Sequence, residues 1–250
     1  MFNVEENESL LRLAVKAIEK GVGEDIRDYC MSTNKATNNA VRLMRSDNIN
    51  TNLRDSVASD IVELKYFNRS AWTGCLLIDR QHKITYTICT RRTLEGIPKK
   101  KDRRIPHYLQ SILYVQNANV MPVYEQMSLG DYASEVESKF TDDVYIKDYN
   151  DIMKDDLVIG DDYMHYVIVY EAEHLGVTSV AVKLLDPNFR TAKEYSLDYL
   201  LKPDFSELTI DETEYNSKDS HDLINVKVSR DKMTSPKVVI VKPKNMEEMK

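Results

Sequence analysis

The stretch Trp72-Thr73-Gly74-Cys75-Leu76-Leu77-Ile78-Asp79, Arg80-Gln81-His82-Lys83, Ile84-Thr85-Tyr86-Thr87-Ile88-Cys89-Thr90 carries the clearest strand signal in the chain. Aliphatic, aromatic and β-branched residues alternate on either side of a polar turn, the pattern of a β-hairpin. Pairing Ile78 with Tyr86 and Leu76 with Ile88 gathers the large side chains on one face, and this predicts the register. The same register sets Cys75 opposite Cys89 on the other face. Two free thiols packed as small hydrophobes are expected there, with a redox-sensing pair as the sharper alternative.

Upstream of the hairpin the apolar period changes from two to 3.6. Leu10, Leu11, Ala14, Val15, Ala17 and Ile18 share one helical face, and Gly21 reads as the stop. Residues 24–46 are polar but compatible with helix. Thr51 or Asn52 is placed to cap a third helix that buries Leu53, Val57, Ile61 and Leu64. Downstream, Pro106 can open a helix through Tyr108, Leu109, Ile112, Leu113 and Val115, broken by Asn117-Ala118-Asn119. Residues 121–124 read as extended, and 126–163 as an acidic, less regular excursion. A second hairpin, residues 165–172 and 177–185, flanks Glu173-His174-Leu175-Gly176. Residues 196–201 suggest a short helical turn, 206–222 a strand end and exposed loop, and 223–228 and 238–241 closing strands. The charged tail 242–250 is expected to fray.

These elements predict an α+β fold: N-terminal helices packed on antiparallel β-hairpins, with a second hairpin-rich half. The expected division is 1–125, holding the helical segment, first hairpin and following helix, and 126–250, holding the acidic connection and second β-rich half. A single domain containing both is compatible with the length.

Composition narrows the function classes. The chain has 250 residues, a net charge of -7, 30% charged and 42% hydrophobic residues, and its apolar residues recur periodically, as in a chain that folds. No apolar run approaches the ~20 residues of a membrane helix. The opening Met1-Phe2-Asn3-Val4-Glu5-Glu6 lacks the basic and apolar regions of a secretory signal, so a cytoplasmic protein is expected. Three cysteines are too few and too scattered for a disulfide framework or a four-thiolate zinc site. Phosphate-cradling loops need clustered glycines, and the close pair Gly21-Val22-Gly23 follows a helix rather than a strand. A Walker loop, a Rossmann fingerprint and a Gly-x-Ser-x-Gly elbow are thereby excluded, and no cofactor is expected.

Residues 91–104, Arg91-Arg92-Thr93-Leu94-Glu95-Gly96-Ile97-Pro98-Lys99-Lys100-Lys101-Asp102-Arg103-Arg104, reverse the sign of this acidic chain. They read as a cationic loop leaving the hairpin. Arg91, Arg92, Lys99, Lys100, Lys101, Arg103 and Arg104 can neutralise phosphates, and His107 and Tyr108 can add stacking. An acidic protein partner would suit the same charges. A solvated turn balanced by the acidic excursion is the plainer alternative.

Other constellations are weaker. A restriction-type nuclease needs an acidic residue on one strand and an acid-x-Lys on the next to hold a divalent ion. Asp79, with Glu63 on a preceding helix, could begin such a set, but residues 84–91 contain no carboxylate. Asp161, Asp162, His165, Glu171, Glu173 and His174 could supply metal ligands, yet His165 and His174 fall at opposite ends of one predicted strand. Cys75 and Cys89 lie inside strands, where structural thiols belong rather than nucleophiles. Trp72 opens a strand and reads as core or as an edge anchor.

The segments Thr51-Asn52-Leu53-Arg54-Asp55, 72–90, and Pro106-His107-Tyr108-Leu109 followed by Gln116-Asn117 resemble a family of uncharacterised proteins from low-GC Gram-positive bacteria and their prophages. The resemblance implies a cytosolic accessory or mobile-element protein and supplies no reaction. The reading that follows is a non-enzymatic protein that binds a macromolecular partner, a second copy of itself included, and no membrane. A nucleic-acid-binding protein using residues 91–104 is the alternative. A metal-dependent nuclease or hydrolase with an unrecognised site is the second alternative.

Overall fold

A computed structural model describes residues 3–33, 37, 39–57, 62–69, 72–100, 102–122, 140–154 and 156–202. The elements run α1 (Val4–Val22), α2 (Glu24–Ser32), α3 (Val41–Val57), β1 (Val62–Arg69), β2 (Trp72–Asp79), β3 (Ile84–Thr90), α4 (Arg91–Lys99), α5 (Tyr108–Gln116), α6 (Asp142–Met153), β4 (Met164–Glu173), β5 (Gly176–Leu185) and β6 (Thr191–Ser196), then a 3-10 turn at Asp198–Leu200. The chain is α+β. Its strands form a 6-stranded sheet in the order β1-β2-β3-β4-β5-β6. Neighbours are antiparallel except β3 and β4, which are parallel from Ile84↔Met164 to Thr90↔Tyr170. A parallel pair needs a crossover, and α4, α5 and α6 lie in it. Strands from either side of residue 125 thus share one sheet.

Helices cover both faces. On one, α1 and α3 bring Leu11, Val15, Ile18, Ile49 and Leu53 against Leu77, Tyr86, Tyr166, Ile168, Val180 and Val182. On the other, Leu94, Ile97, Leu109, Ile112, Leu113, Ile152 and Met153 from the crossover helices pack on Leu76, Ile78, Cys89, Val167 and Val169. Burial of apolar side chains on both faces supplies the main favourable term, at roughly 25 cal/mol per Å².

This sandwiching explains where the sequence reading departs from the structure. The β2–β3 register is Leu77↔Tyr86, Ile78↔Thr85 and Asp79↔Ile84, one residue from the expected pairing. Alternation fixes a register only when one face is polar, and here both faces are apolar. The shift sends Cys75 to the α3 side with Leu77 and Ile88, and Cys89 to the crossover-helix side with Ile78. The two thiols therefore lie on opposite faces of the sheet, not opposite one another. Burial raises each to about 12, so both stay protonated at neutral pH.

The third helix ends at Val57, with Thr51 and Asn52 in its interior, and Leu64 belongs to β1. Gly21 does not stop α1. The helix continues to Val22, and a Cβ on Gly21 would lie 2.8 Å from the Ile49 backbone nitrogen, so this glycine lets α1 and α3 approach closely. The second hairpin forms as expected, turning at His174 and Leu175. The expectations for Ile61, for 123–139 and for 203–250 lie outside the described residues.

Candidate functional site

Residues 91–99 are not a loop. Thr90 is both the last residue of β3 and the N-cap of α4, its hydroxyl accepting from Thr93 N at 3.1 Å. Leu94 and Ile97 pack on the sheet, which turns Arg91, Arg92 and Lys99 outward. Arg91 and Arg92 occupy the first turn, where the helix dipole disfavours cations and which contains no acidic residue. Glu171 of β4 pairs with Arg91 at 2.7 Å. Among the described residues, Arg92, Lys99, Lys100, Arg103 and Arg104 have no ion-pair partner. Lys101 lies outside the described residues. A shallow open cleft is lined by Lys99, Lys100, Asp102 and Arg103.

The chain then turns into α5, capped by His107. Its Nδ1 accepts from Leu109 N at 3.3 Å, while Gln110 Oε1 accepts from His107 N at 2.8 Å. Burial, then the charges of Arg103, Arg69 and Lys100, lower the His107 pKa to about 3. The ring is neutral, as its capping role requires. Three cations converge on one imidazole. Of these, Arg69 is held by Asp148, which also accepts from Ser111, and its Nη1 donates to Pro106 O at 3.3 Å. Arg103 is different: its Nε is buried without a hydrogen-bond partner among the described residues, and desolvation lowers its pKa.

An aromatic cluster adjoins these cations. Trp72 stacks on Tyr108 with centroids 5.4 Å apart and planes at 26°. Phe67 meets Trp72 edge-on at 5.9 Å, and His107 lies 4.3 Å from Tyr108. Phe67 and Tyr108 are 4% and 8% exposed, whereas Trp72 is 37% exposed. Tyr108 thus backs the cluster from inside and Trp72 presents it to solvent. Gly74 makes this possible, because a Cβ there would lie 2.3 Å from the Phe67 ring.

The fold therefore brings together Lys99, Lys100, Arg103, His107 and Tyr108 of the expected set, and adds Arg69 and Trp72. Arg91 and Arg92 stand at the opposite end of α4. Arg69 had no local signal; it reaches the site because β1 pairs with β2, setting Arg69 opposite Trp72.

A second polar cluster lies inside the crossover-helix layer. Thr85 Oγ1 donates to Gln116 Oε1 at 2.5 Å, and Gln116 Nε2 donates to Tyr149 Oη at 3.1 Å. Thr85 has then spent its proton and accepts from His165 Nδ1 at 2.7 Å, leaving Nε2 to accept from Thr87 Oγ1 at 2.9 Å. The bonding defines the Nδ1–H tautomer. Burial lowers the His165 pKa to about 3. Asn117 completes the cluster: it accepts from His165 N at 2.8 Å and donates to the carbonyls of His165 and Leu185 at 2.9 and 2.7 Å. Every one of these groups is satisfied, so the cluster is a structural brace.

Asp79 is likewise engaged. It accepts from Gln81 N and His82 N at 3.0 Å and contacts His82 Nδ1 at 2.8 Å, the work of a turn residue. Glu63 lies on β1, not on a helix, and is clamped by Arg80 at 2.8 and 2.7 Å. His174 occupies the β4–β5 turn at φ 50, away from the buried His165. Among the described residues, no group of three or more His, Cys, Asp and Glu side chains is placed to hold a metal ion.

Residues 4–240 match the model described as Family of unknown function (DUF5986), and the chain belongs to that family. No curated protein and no solved structure matches it.

Proposed function

We propose that this chain is a non-enzymatic binding protein whose macromolecular partner is a nucleic acid. The observation that carries this reading is the segment from Lys99 to Tyr108. Its Lys99, Lys100, Arg103 and Arg104 have no ion-pair partner among the described residues and lead into a backed aromatic surface, in a chain of net charge -7. Isolated surface lysines need no explanation. A partly buried Arg103, whose Nε has no hydrogen-bond acceptor among the described residues, costs stability and suits an incoming anion. Phosphates provide that charge, and bases provide faces for aromatic contact.

The Asn-, Lys-, Asp-, Ile- and Tyr-rich composition supports a low-GC bacterial or prophage setting, and three free cysteines suit a reducing cytoplasm. No helix among the described residues is long and apolar enough to cross a membrane.

The test is anisotropy of labelled DNA and RNA oligonucleotides with the wild type and with Lys99→Glu/Lys100→Glu/Arg104→Glu. These three side chains are exposed, so the fold should tolerate the change. Wild-type binding that drops at least tenfold for every sequence in the variant supports the reading. Equal affinity in both proteins, or no binding by the wild type at low salt, overturns it.

A further inference from the structure

We infer that the ligand is single-stranded nucleic acid, with an unpaired base stacked on Trp72 and a neighbouring phosphate held by Lys100 and Arg103. This rests on the nucleic-acid reading above and narrows it to one substrate class.

Arg69 is committed to Asp148 and to the Pro106 carbonyl, so it is a strut between β1 and α5 rather than a phosphate contact. Lys100 and Arg103 have no ion-pair partner among the described residues, and both line the open cleft. Arg103 carries the stronger demand, since its Nε is already desolvated. A phosphate oxygen would supply the missing acceptor and the opposite charge together. Asp102 also lines the cleft, which limits the pocket to a modest net positive charge and makes a second contact necessary for useful affinity.

Trp72 provides that contact. Its ring is held at a defined angle by Tyr108 and Phe67, themselves buried, so little conformational entropy is lost when a base stacks on it. The two halves are linked through α5's start: Trp72 stacks on Tyr108, Tyr108 lies 4.3 Å from His107, and His107 follows Arg103 by four residues. Duplex nucleic acid hides its base faces in the stack, whereas a single strand exposes them. A surface that pairs one backed indole with two available cations therefore discriminates by strandedness. Stacking accepts every base, so little sequence preference is expected.

Trp72 is the single tryptophan among the 250 residues, which makes its emission a reporter of this site alone. Titrating the full chain with an unlabelled single-stranded oligonucleotide should quench that emission along the binding curve. A duplex of equal length should bind more weakly and leave it unchanged. Trp72→Ala should weaken single-strand affinity by roughly 5- to 150-fold, Trp72→Phe should retain most of it, and the salt dependence should be unaltered in both. Circular dichroism of the Phe variant controls for folding, and the wild-type quenching needs no variant. Equal binding of single strand and duplex with unchanged Trp72 emission overturns this inference while leaving nucleic-acid binding intact. Absence of binding to either at low salt overturns both.

Discussion

Asn117 is the residue on which the brace in the crossover layer depends most. Its amide serves three backbone groups at the ends of β4 and β5 in a site with no water-accessible surface. Leaving a buried backbone group unpaired costs about 1–3 kcal/mol. Asn117→Ala should therefore lower the unfolding free energy by about 3 kcal/mol or more, read as a shifted urea midpoint. A loss below about 1 kcal/mol would show that the strand ends find other partners. His165 makes the same layer sensitive to acid. Its folded pKa is about 3 against an ordinary 6.5, so below pH 6.5 the unfolded chain takes up a proton that the folded chain refuses. The contribution of a neutral His165 to stability is present above pH 6.5 and is lost as the pH drops toward 3. Each unit within that window costs on the order of 1 kcal/mol for His165, with a smaller addition from the partly exposed His107. Urea midpoints at two pH values, one above and one well below 6.5, should differ accordingly; equal midpoints would mean that the imidazole is charged inside the fold.

At the scale of elements, the β1–β2 hairpin and α5 build the aromatic surface jointly, and Gly74 sets their spacing. Adding a methyl group at Gly74 forces the Phe67 ring to move, since the two would lie 2.3 Å apart. Gly74→Ala should cost about 1–3 kcal/mol and shift the emission maximum of Trp72, which rests on Phe67 and Tyr108. An unshifted spectrum in a fully stable variant would show that the cluster is looser than its geometry. The elements also show what could be read beforehand. The β2–β3 and β4–β5 hairpins were legible because their turns are polar and their strands β-branched, whereas β1 was read as part of a helix. Register was not, because a sheet covered on both faces carries no polar side to anchor it. The start of α4 was hidden by charge: Arg91 and Arg92 look like loop residues until Thr90 is recognised as a cap. Gly21 was read as a helix stop, whereas the need for glycine there comes from Ile49 of a helix distant in sequence.

For the whole molecule, the parallel β3–β4 pair is the feature that creates the site. It requires a crossover, and the crossover carries residues 91–116 over one face of the sheet to the edge where β1 ends and β2 begins. The cationic run was legible from sequence, but its companions were not. Arg69 and Trp72 precede it by some twenty to thirty residues and join it only through strand pairing. The proposed role of this assembled surface is to hold phosphates. The most direct measurement is the salt dependence of wild-type affinity for a single-stranded oligonucleotide. Counterion release predicts a log–log slope of about −0.7 per phosphate neutralised, hence about −0.7 for the one phosphate held by Lys100 and Arg103 and about −1.4 to −3 if the neighbouring cations engage further phosphates. Reversing Lys99, Lys100 and Arg104 should flatten that slope. A slope near zero, or one unchanged by the reversal, would contradict the claim.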